Sequence, residues 1–310
     1  MSAKIGNYSE TRKFFGENVN ISVFFRTFAA TINCFNKQRM KTFRLLGLAL
    51  TAISISACLS ACGGDDNSDS PETPVDPQAK HVTRIVQEED DGDKTEYIYT
   101  YDSQGRITSL VERETYDRNS SSTYTYTFTY DDNTITVNRD NKYTYTYSLL
   151  DGRITSQRRE YKYSSGTETK MTSYSYDDQG RLKSKNGNSE TLTYTWSGGN
   201  LTQLDQTYQE KDGDRHYWYK VEYNSNAAPA NYMDLTFFSG IESALAMMGC
   251  FGKMPTHLVR EITRYKTDGD YDMTTLTYQI QDGRPVKIDY TEVSPESSHL
   301  DYGKYTLEWN

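Results

Sequence analysis

From His81 to the end of the chain, large apolar or aromatic residues recur on every second position, in short runs separated by clusters of Asp, Asn, Ser and Gly. A period of two marks a strand with one face turned to a core, and turn residues between such runs mark hairpins. The clearest unit is Tyr97-Ile-Tyr-Thr-Tyr-Asp-Ser-Gln-Gly-Arg-Ile-Thr-Ser-Leu110. Aromatics alternate with small residues, a tight polar turn follows, and Gly-Arg-Ile opens a second alternating run. Such a turn needs glycine for its positive φ. The unit recurs as Tyr174-Ser-Tyr-Asp-Asp-Gln-Gly-Arg-Leu182, with shorter echoes at Leu150–Ile154 and Gln281–Val286.

Twelve strands are predicted before residue 225: Val82–Glu89, Glu96–Asp102, Arg106–Glu114, Thr123–Tyr130, Thr134–Asn138, Tyr143–Leu149, Ile154–Tyr163, Thr169–Tyr176, Leu182–Lys185, Thr191–Trp196, Leu201–Gln209 and Arg215–Tyr223. Residues 225–256 break the alternation. Met233–Phe238 reads as a short extended piece, and Ile241–Phe251, the most apolar stretch after the leader, as one to three turns of helix. Four strands follow: Leu258–Tyr265, Met273–Gln279, Val286–Glu292 and Tyr305–Trp309. The links are too short for parallel crossovers. The class is therefore all-β, an antiparallel up-and-down meander over residues 81–310 with one short helical insert.

Composition sharpens this. The chain holds 27 Tyr against 11 Phe. Tyrosine combines a large apolar ring with a hydroxyl that needs water or a partner, which suits strands that are wet at one end. Charge divides the chain. Residues 1–61 carry eight Lys/Arg and two Glu, and the remainder is left at −15 of the total −9. An acidic body lacks the basic stripe that nucleic-acid binding requires.

The leader explains the division. Residues 1–39 read as a miscalled start or an unstructured extension, because a standard export signal begins at Met40. Lys41 and Arg44 precede the apolar run Leu45–Ala57, and Leu59-Ser-Ala-Cys62-Gly63 resembles a bacterial lipobox. Cys62 is the expected site of lipidation, and Cys58 is its rival. Residues 62–80, rich in Pro, Gly, Asp and Ser, read as a flexible acidic tether. Acidic residues behind a lipid cysteine resemble the surface-export signal of Bacteroidetes lipoproteins. The expected partner is then a membrane, held through the lipid on Cys62, and the expected address is the outer membrane, on its cell-surface or periplasmic face. Cys250 remains as a single cysteine, so neither a disulfide framework nor a Cys-rich metal site can be built.

The hairpins Tyr99–Ile107 and Tyr174–Leu182, with Phe237-Phe238 and Gly249-Cys-Phe-Gly-Lys253 in the insert, resemble an uncharacterised lipoprotein family of Bacteroidetes. That family is a domain of unknown function with a porin-like fold, and the likeness spans roughly residues 80 to 310. It implies a closed β-barrel and no particular activity. The hairpin unit alone is also similar to the YD repeats of Rhs and toxin shells. If the barrel closes with so many strands, Ile241–Phe251 is expected to seal one end or sit inside, since large barrels leave space.

A spanning barrel needs a continuous apolar row facing lipid. Here Thr123–Tyr130 has one aromatic and one all-Thr face, and Ile154–Tyr163 carries adjacent charges. The expected barrel is water-soluble, with aromatics inward and Thr, Lys and Glu outward, and monomeric.

Candidate chemistry is sparse. No nucleophile elbow, zinc-protease helix, phosphate loop or dinucleotide fingerprint occurs. No catalytic residue, cofactor or metal site is assigned. The acidic groups at Asp90–Asp93, Asp212–Asp214 and Asp268–Asp272 read as hairpin turns rather than calcium loops. Arg106, Arg153, Arg181 and Arg284, each after a turn glycine, either line a ligand surface or stack on a tyrosine and pair with a turn aspartate. Trp196 and Trp309 fall in phase with core residues. Trp218 falls on the polar face with His216, Lys220 and Glu222. Trp218 and His216 are the candidate ligand-binding residues, for a glycan or protein; in the competing reading residues 225–256 fold over the indole. The expected role is a non-enzymatic binding or structural protein of the envelope, against a glycan hydrolase using turn carboxylates or a YD-like scaffold.

Overall fold

The computed structural model describes residues 50–52, 80–116, 120–210, 213–229, 232–234, 240–267, 269–295 and 299–310. The leader apart from 50–52, Cys58, Cys62, the tether up to residue 79, Phe237-Phe238, Asp212 and Asp268 lie outside the described residues. The strands are β1 (Leu50–Ala52), β2 (Val82–Glu89), β3 (Lys94–Tyr101), β4 (Ile107–Tyr116), β5 (Ser120–Asp131) and β6 (Thr134–Arg139). Next come β7 (Tyr143–Leu150), β8 (Arg153–Tyr163), β9 (Gly166–Tyr176), β10 (Leu182–Asn186), β11 (Glu190–Ser197) and β12 (Asn200–Tyr208). Then β13 (Arg215–Ala227), β14 (Tyr232–Asp234), helix α1 (Ile241–Met247), β15 (His257–Lys266), β16 (Tyr271–Gln281), β17 (Arg284–Ser294) and β18 (His299–Trp309) complete the chain.

Sixteen strands close a barrel in sequence order, every pair antiparallel, with β18 returning to β2. The pair β1–β14 stands apart from this ladder. Closure leaves the sixteen-strand sheet without an unpaired edge.

Alternation decides the two walls. On β5, Tyr126 and Phe128 are buried inside while Thr123, Thr125, Thr127 and Thr129 are exposed. The outer wall carries ion pairs: Arg84 to Glu96 and to Glu308, each at 2.5 Å, Arg113 to Glu96 at 3.0 Å, and Lys304 to Glu88 at 2.6 Å. A charge held at mid-bilayer costs roughly 2–4 kcal/mol. Such a wall is built for water.

The repeated sequence unit builds one rim. In both full copies the aspartate accepts two backbone N–H groups. Asp102 Oδ1 takes Gln104 and Arg106, and Asp177 Oδ1 takes Gln179 and Arg181. Its other oxygen binds the arginine Nε, at 2.8 Å and 2.7 Å. Gly105 and Gly180 supply φ of 75° and 76°. An aromatic at the end of the next strand then donates to the carbonyl of the residue following the arginine. Tyr130 bonds Ile107, Tyr176 bonds Ile154, Trp196 bonds Leu182 and Trp309 bonds Pro285, at 2.5–2.8 Å. The guanidinium lies over that same ring, Arg106 on Tyr130 at 4.7 Å, Arg153 on Tyr176 at 5.1 Å, and Arg181 on Trp196 and Arg284 on Trp309 at 5.6 Å. All four arginines therefore take the stacking role. Tyr101, Tyr223 and Tyr278 make the same bond to Val82, Leu201 and Val259. In the β6–β7 hairpin Leu149-Leu150 replaces the aromatic, and the Leu149 N–H bonds the Asn133 carbonyl instead.

Helix α1 and the turns after it seal this rim. All seven residues of α1 are buried. Cys250 O accepts from Ile154 N–H at 2.8 Å, and Gly180 O accepts from Lys253 N–H at 2.9 Å. Met248 sulfur accepts the Ile107 N–H at 3.3 Å and lies 3.1 Å from the Tyr130 hydroxyl oxygen. A charged latch lies below: Glu242 accepts Lys185 Nζ and the Tyr174 hydroxyl, each at 2.9 Å. The expected stretch Ile241–Phe251 thus closes one end of the barrel.

Two differences from the sequence reading have local causes. Strand β18 begins at His299, six residues ahead of its predicted start, because Gly303 breaks the alternation. The Tyr290 ring and the Glu88 carbonyl occupy the space where a Cβ at Gly303 would project. Trp196 and Trp309 are half-buried rather than core, because they sit at the rim as latches.

Candidate functional site: an aromatic outer platform and a charged interior

The outer wall carries an aromatic platform. Trp218 of β13 stacks on Tyr265 of β15, its cross-strand partner, with ring centroids 3.6 Å apart and planes within 9°. Tyr271 of β16, opposite Tyr265, adds a third ring at 6.1 Å. Trp218 is 41% and Tyr271 39% exposed. Among the described residues, none of the insert covers the indole. Tyr265 occupies one of its faces; on the other side, β12 brings Asp205 opposite Trp218. Both Asp205 oxygens accept Gln203 Nε2 at 3.0 Å. His216 lies outside too, its Nδ1 3.0 Å from Thr207 Oγ1. Trp218 and His216 share the outer wall; Asp205 and the two tyrosines are the neighbours of the indole that sequence phase alone did not bring together.

The interior away from the helix is polar. Glu112 of β4 accepts the Tyr126 hydroxyl at 2.8 Å. Burial, helped by Glu114, pushes its pKa up to about 7, against the opposing pull of Tyr126 and Arg139. On β17, burial pushes Glu292 up to about 8, with Arg264 opposing. Arg264 donates through Nε to Asp272 Oδ2 at 3.0 Å; burial disfavours the Asp272 carboxylate, but Arg264 outweighs it and holds the pKa below the usual range. Asp272 is thus a buried strand residue, not the turn carboxylate expected of it. The Tyr219 hydroxyl donates to Gln206 Oε1 at 2.8 Å, and Gln206 Nε2 donates to Glu190 at 2.6 Å.

No family model matches the chain, and no curated protein matches it either. Solved structures do. The fold is similar to that of two porin-like proteins. One, from Bacteroides uniformis, aligns with a TM-score of 0.54 at 15% identity, covering 74% of this chain and 98% of its own. The other, from Bacteroides vulgatus, aligns with a TM-score of 0.52 at 16% identity, covering 75% and 99%. At such identity the likeness is one of fold, and it agrees with the sixteen-strand closure.

In this porin-like barrel the turn carboxylates of the repeated unit are engaged in structure. Asp102 and Asp177 hold their arginines and turn amides. Glu89, Asp91 and Asp93 bring one oxygen each within 4.8 Å of one another. There Asp91 accepts the Asp93 N–H and Glu89 accepts Gln87 Nε2, the pattern of a hairpin turn. The interior charges carry a sequence signal of their own. Glu112 is in phase with Leu110, and Glu292 with Ile288 and Tyr290. A charge on the aromatic phase of a strand marks a buried polar group. Lys185 carried no such signal, because a register shift between Leu182 and Ser184 changes its phase.

Proposed function

We propose that this chain is a lipid-anchored envelope protein of the Bacteroidetes type, held through Cys62, whose barrel binds a glycan on its outer wall without catalysing a reaction. The observation that carries the reading is the exposed, coplanar Trp218–Tyr265 stack on a wall otherwise furnished with ion pairs. An exposed indole face beside a carboxylate suits a pyranose: the ring stacks its C–H face, and Asp205 accepts hydroxyls. The lipobox around Cys62, the tether behind it and the porin-like fold support the cellular address. The family likeness carried by Tyr99–Ile107, Tyr174–Leu182 and Gly249–Lys253 supports the same address.

The test uses a variant in which Trp218 is the sole tryptophan, screened by fluorescence against neutral oligosaccharides. A saturable shift, lost in Trp218→Ala and reduced in Asp205→Asn, is expected. Affinity unchanged in Trp218→Ala would overturn the outer-wall site. Separately, lipid labelling should disappear in Cys62→Ala, and labelling lost only in Cys58→Ala would move the junction.

A further inference from the structure

The interior wall formed by β5 to β9, near the rim opposite the helix, gathers positive charge among tyrosine rings. Arg139, at the end of β6, is 6% exposed. Its guanidinium lies 3.9 Å from the centroid of Tyr143 and 5.1 Å from that of Tyr124. One N–H is taken by the Tyr126 oxygen, whose own proton goes to Glu112. Nε has no acceptor. Among the described residues the carboxylate in ion-pair range is Asp140, at 3.9 Å, which is beyond hydrogen-bond distance and partly exposed to solvent. A buried cation is costly unless a charged partner sits against it. Glu112 does not fill that role through a direct contact, and burial favours its neutral form.

The same wall extends the pattern. Tyr143 stacks on Tyr161 at 4.3 Å, and Tyr161 meets Tyr163 edge-on at 4.0 Å. Two residues along, register sets Tyr145 opposite Arg159 and Arg159 opposite Lys170. Both arginines act on the Tyr145 hydroxyl electrostatically. The acid within this group, Glu168, is occupied by the Tyr163 hydroxyl at 2.6 Å and Lys170 at 3.0 Å. The corner therefore has rings to stack a flat or puckered face and a fork-shaped cation with an open donor.

We propose that this corner, Arg139 between Tyr124 and Tyr143 with Arg159 on β8 and Lys170 on β9, binds the carboxylate of an acidic sugar on the inner wall of the barrel. A guanidinium pairs with a carboxylate through two parallel N–H bonds, and aromatic rings accept the sugar's C–H face. Half-buried Tyr161 and Tyr163 and the exposed turn at Asp140-Asn141 flank the approach from that rim. This site is separate from the outer platform and does not depend on it.

The test is calorimetric titration of the purified protein with glucuronate, with glucose as the uncharged control. Glucuronate should bind saturably and at least about tenfold more tightly than glucose, the difference a charged fork supplies. Arg139→Gln should lose about tenfold or more, and Trp218→Ala should stay within about twofold. If Arg139→Gln does not fold by circular dichroism, Arg139→Lys decides, since it keeps the charge without the fork, and a loss of about fivefold is expected. Equal binding of glucuronate and glucose, absence of glucuronate binding, or wild-type affinity in the Arg139 variant that folds would overturn the proposal. Loss of binding in Trp218→Ala alone would assign the sugar to the outer wall instead.

Discussion

Replacing Glu242 by Ala strands Lys185, whose Nζ sits 2.9 Å from the carboxylate with both side chains buried. Burial by itself lowers the lysine pKa, yet Glu242 and Glu190 more than compensate and raise it, so the ammonium stays charged when the partner is present. Removing one member of a buried pair costs about 3–5 kcal/mol, because the remaining charge keeps its desolvation penalty without its attraction. The Tyr174 hydroxyl loses its acceptor in the same change. For a domain of this size about 2–4 °C of melting temperature is lost per kcal/mol, so a fall of roughly 6–20 °C is expected. Lys185→Met alone should cost a similar amount. The double variant Lys185→Met/Glu242→Leu should recover most of the loss, since apolar replacements of a buried pair are often neutral. Urea unfolding followed by circular dichroism gives the four corners of the cycle. Single variants within about 1 kcal/mol of wild type, or additive losses in the double, would refute the reading of this pair as the lock between helix and wall.

Further outcomes follow from the same structure. Leu245→Asp, at a fully buried helix position, should cost several kcal/mol in the same assay, roughly the penalty of an unpaired buried charge; an unchanged melting temperature would move α1 to the surface. Tyr176→Phe removes the hydroxyl that bonds Ile154 O but keeps the ring under Arg153, so about 1 kcal/mol should be lost, and Tyr176→Ala should lose about 3. Gly252→Ala should destabilise by more than about 1 kcal/mol, because φ is +79° and the new Cβ meets the Gly180 carbonyl. Glu112, raised from 4.5 to about 7, contributes stability that is fully present below pH 4.5 and lost as pH rises through 7. Between pH 5 and 8 the wild type should therefore lose up to about 3 kcal/mol more than Glu112→Gln, which stays neutral; parallel pH profiles would contradict the burial of that carboxyl.

Much of the architecture is written in period two. The aromatic phase of Thr123–Tyr130 assigns inner and outer faces without any knowledge of partners, because side chains on a strand have only two directions to point. The turn unit ending in Gly-Arg-Ile specifies its own hairpin, since Asp102 and Asp177 bond amides within four residues. The outward direction of Trp218 was legible for the same reason. What lies beyond that reach is set by closure. Only the closed sheet brings Tyr265 against the indole, 47 positions on, and Asp205 to its other side. Only the plug brings Glu242 to Lys185, 57 residues away, across a register shift that local alternation could not foresee. The sequence by itself therefore determined the strands, their faces and the rim turns, which depend on local geometry. The tertiary structure alone decided which charges are buried together, because barrel register is a property of the whole ring of strands.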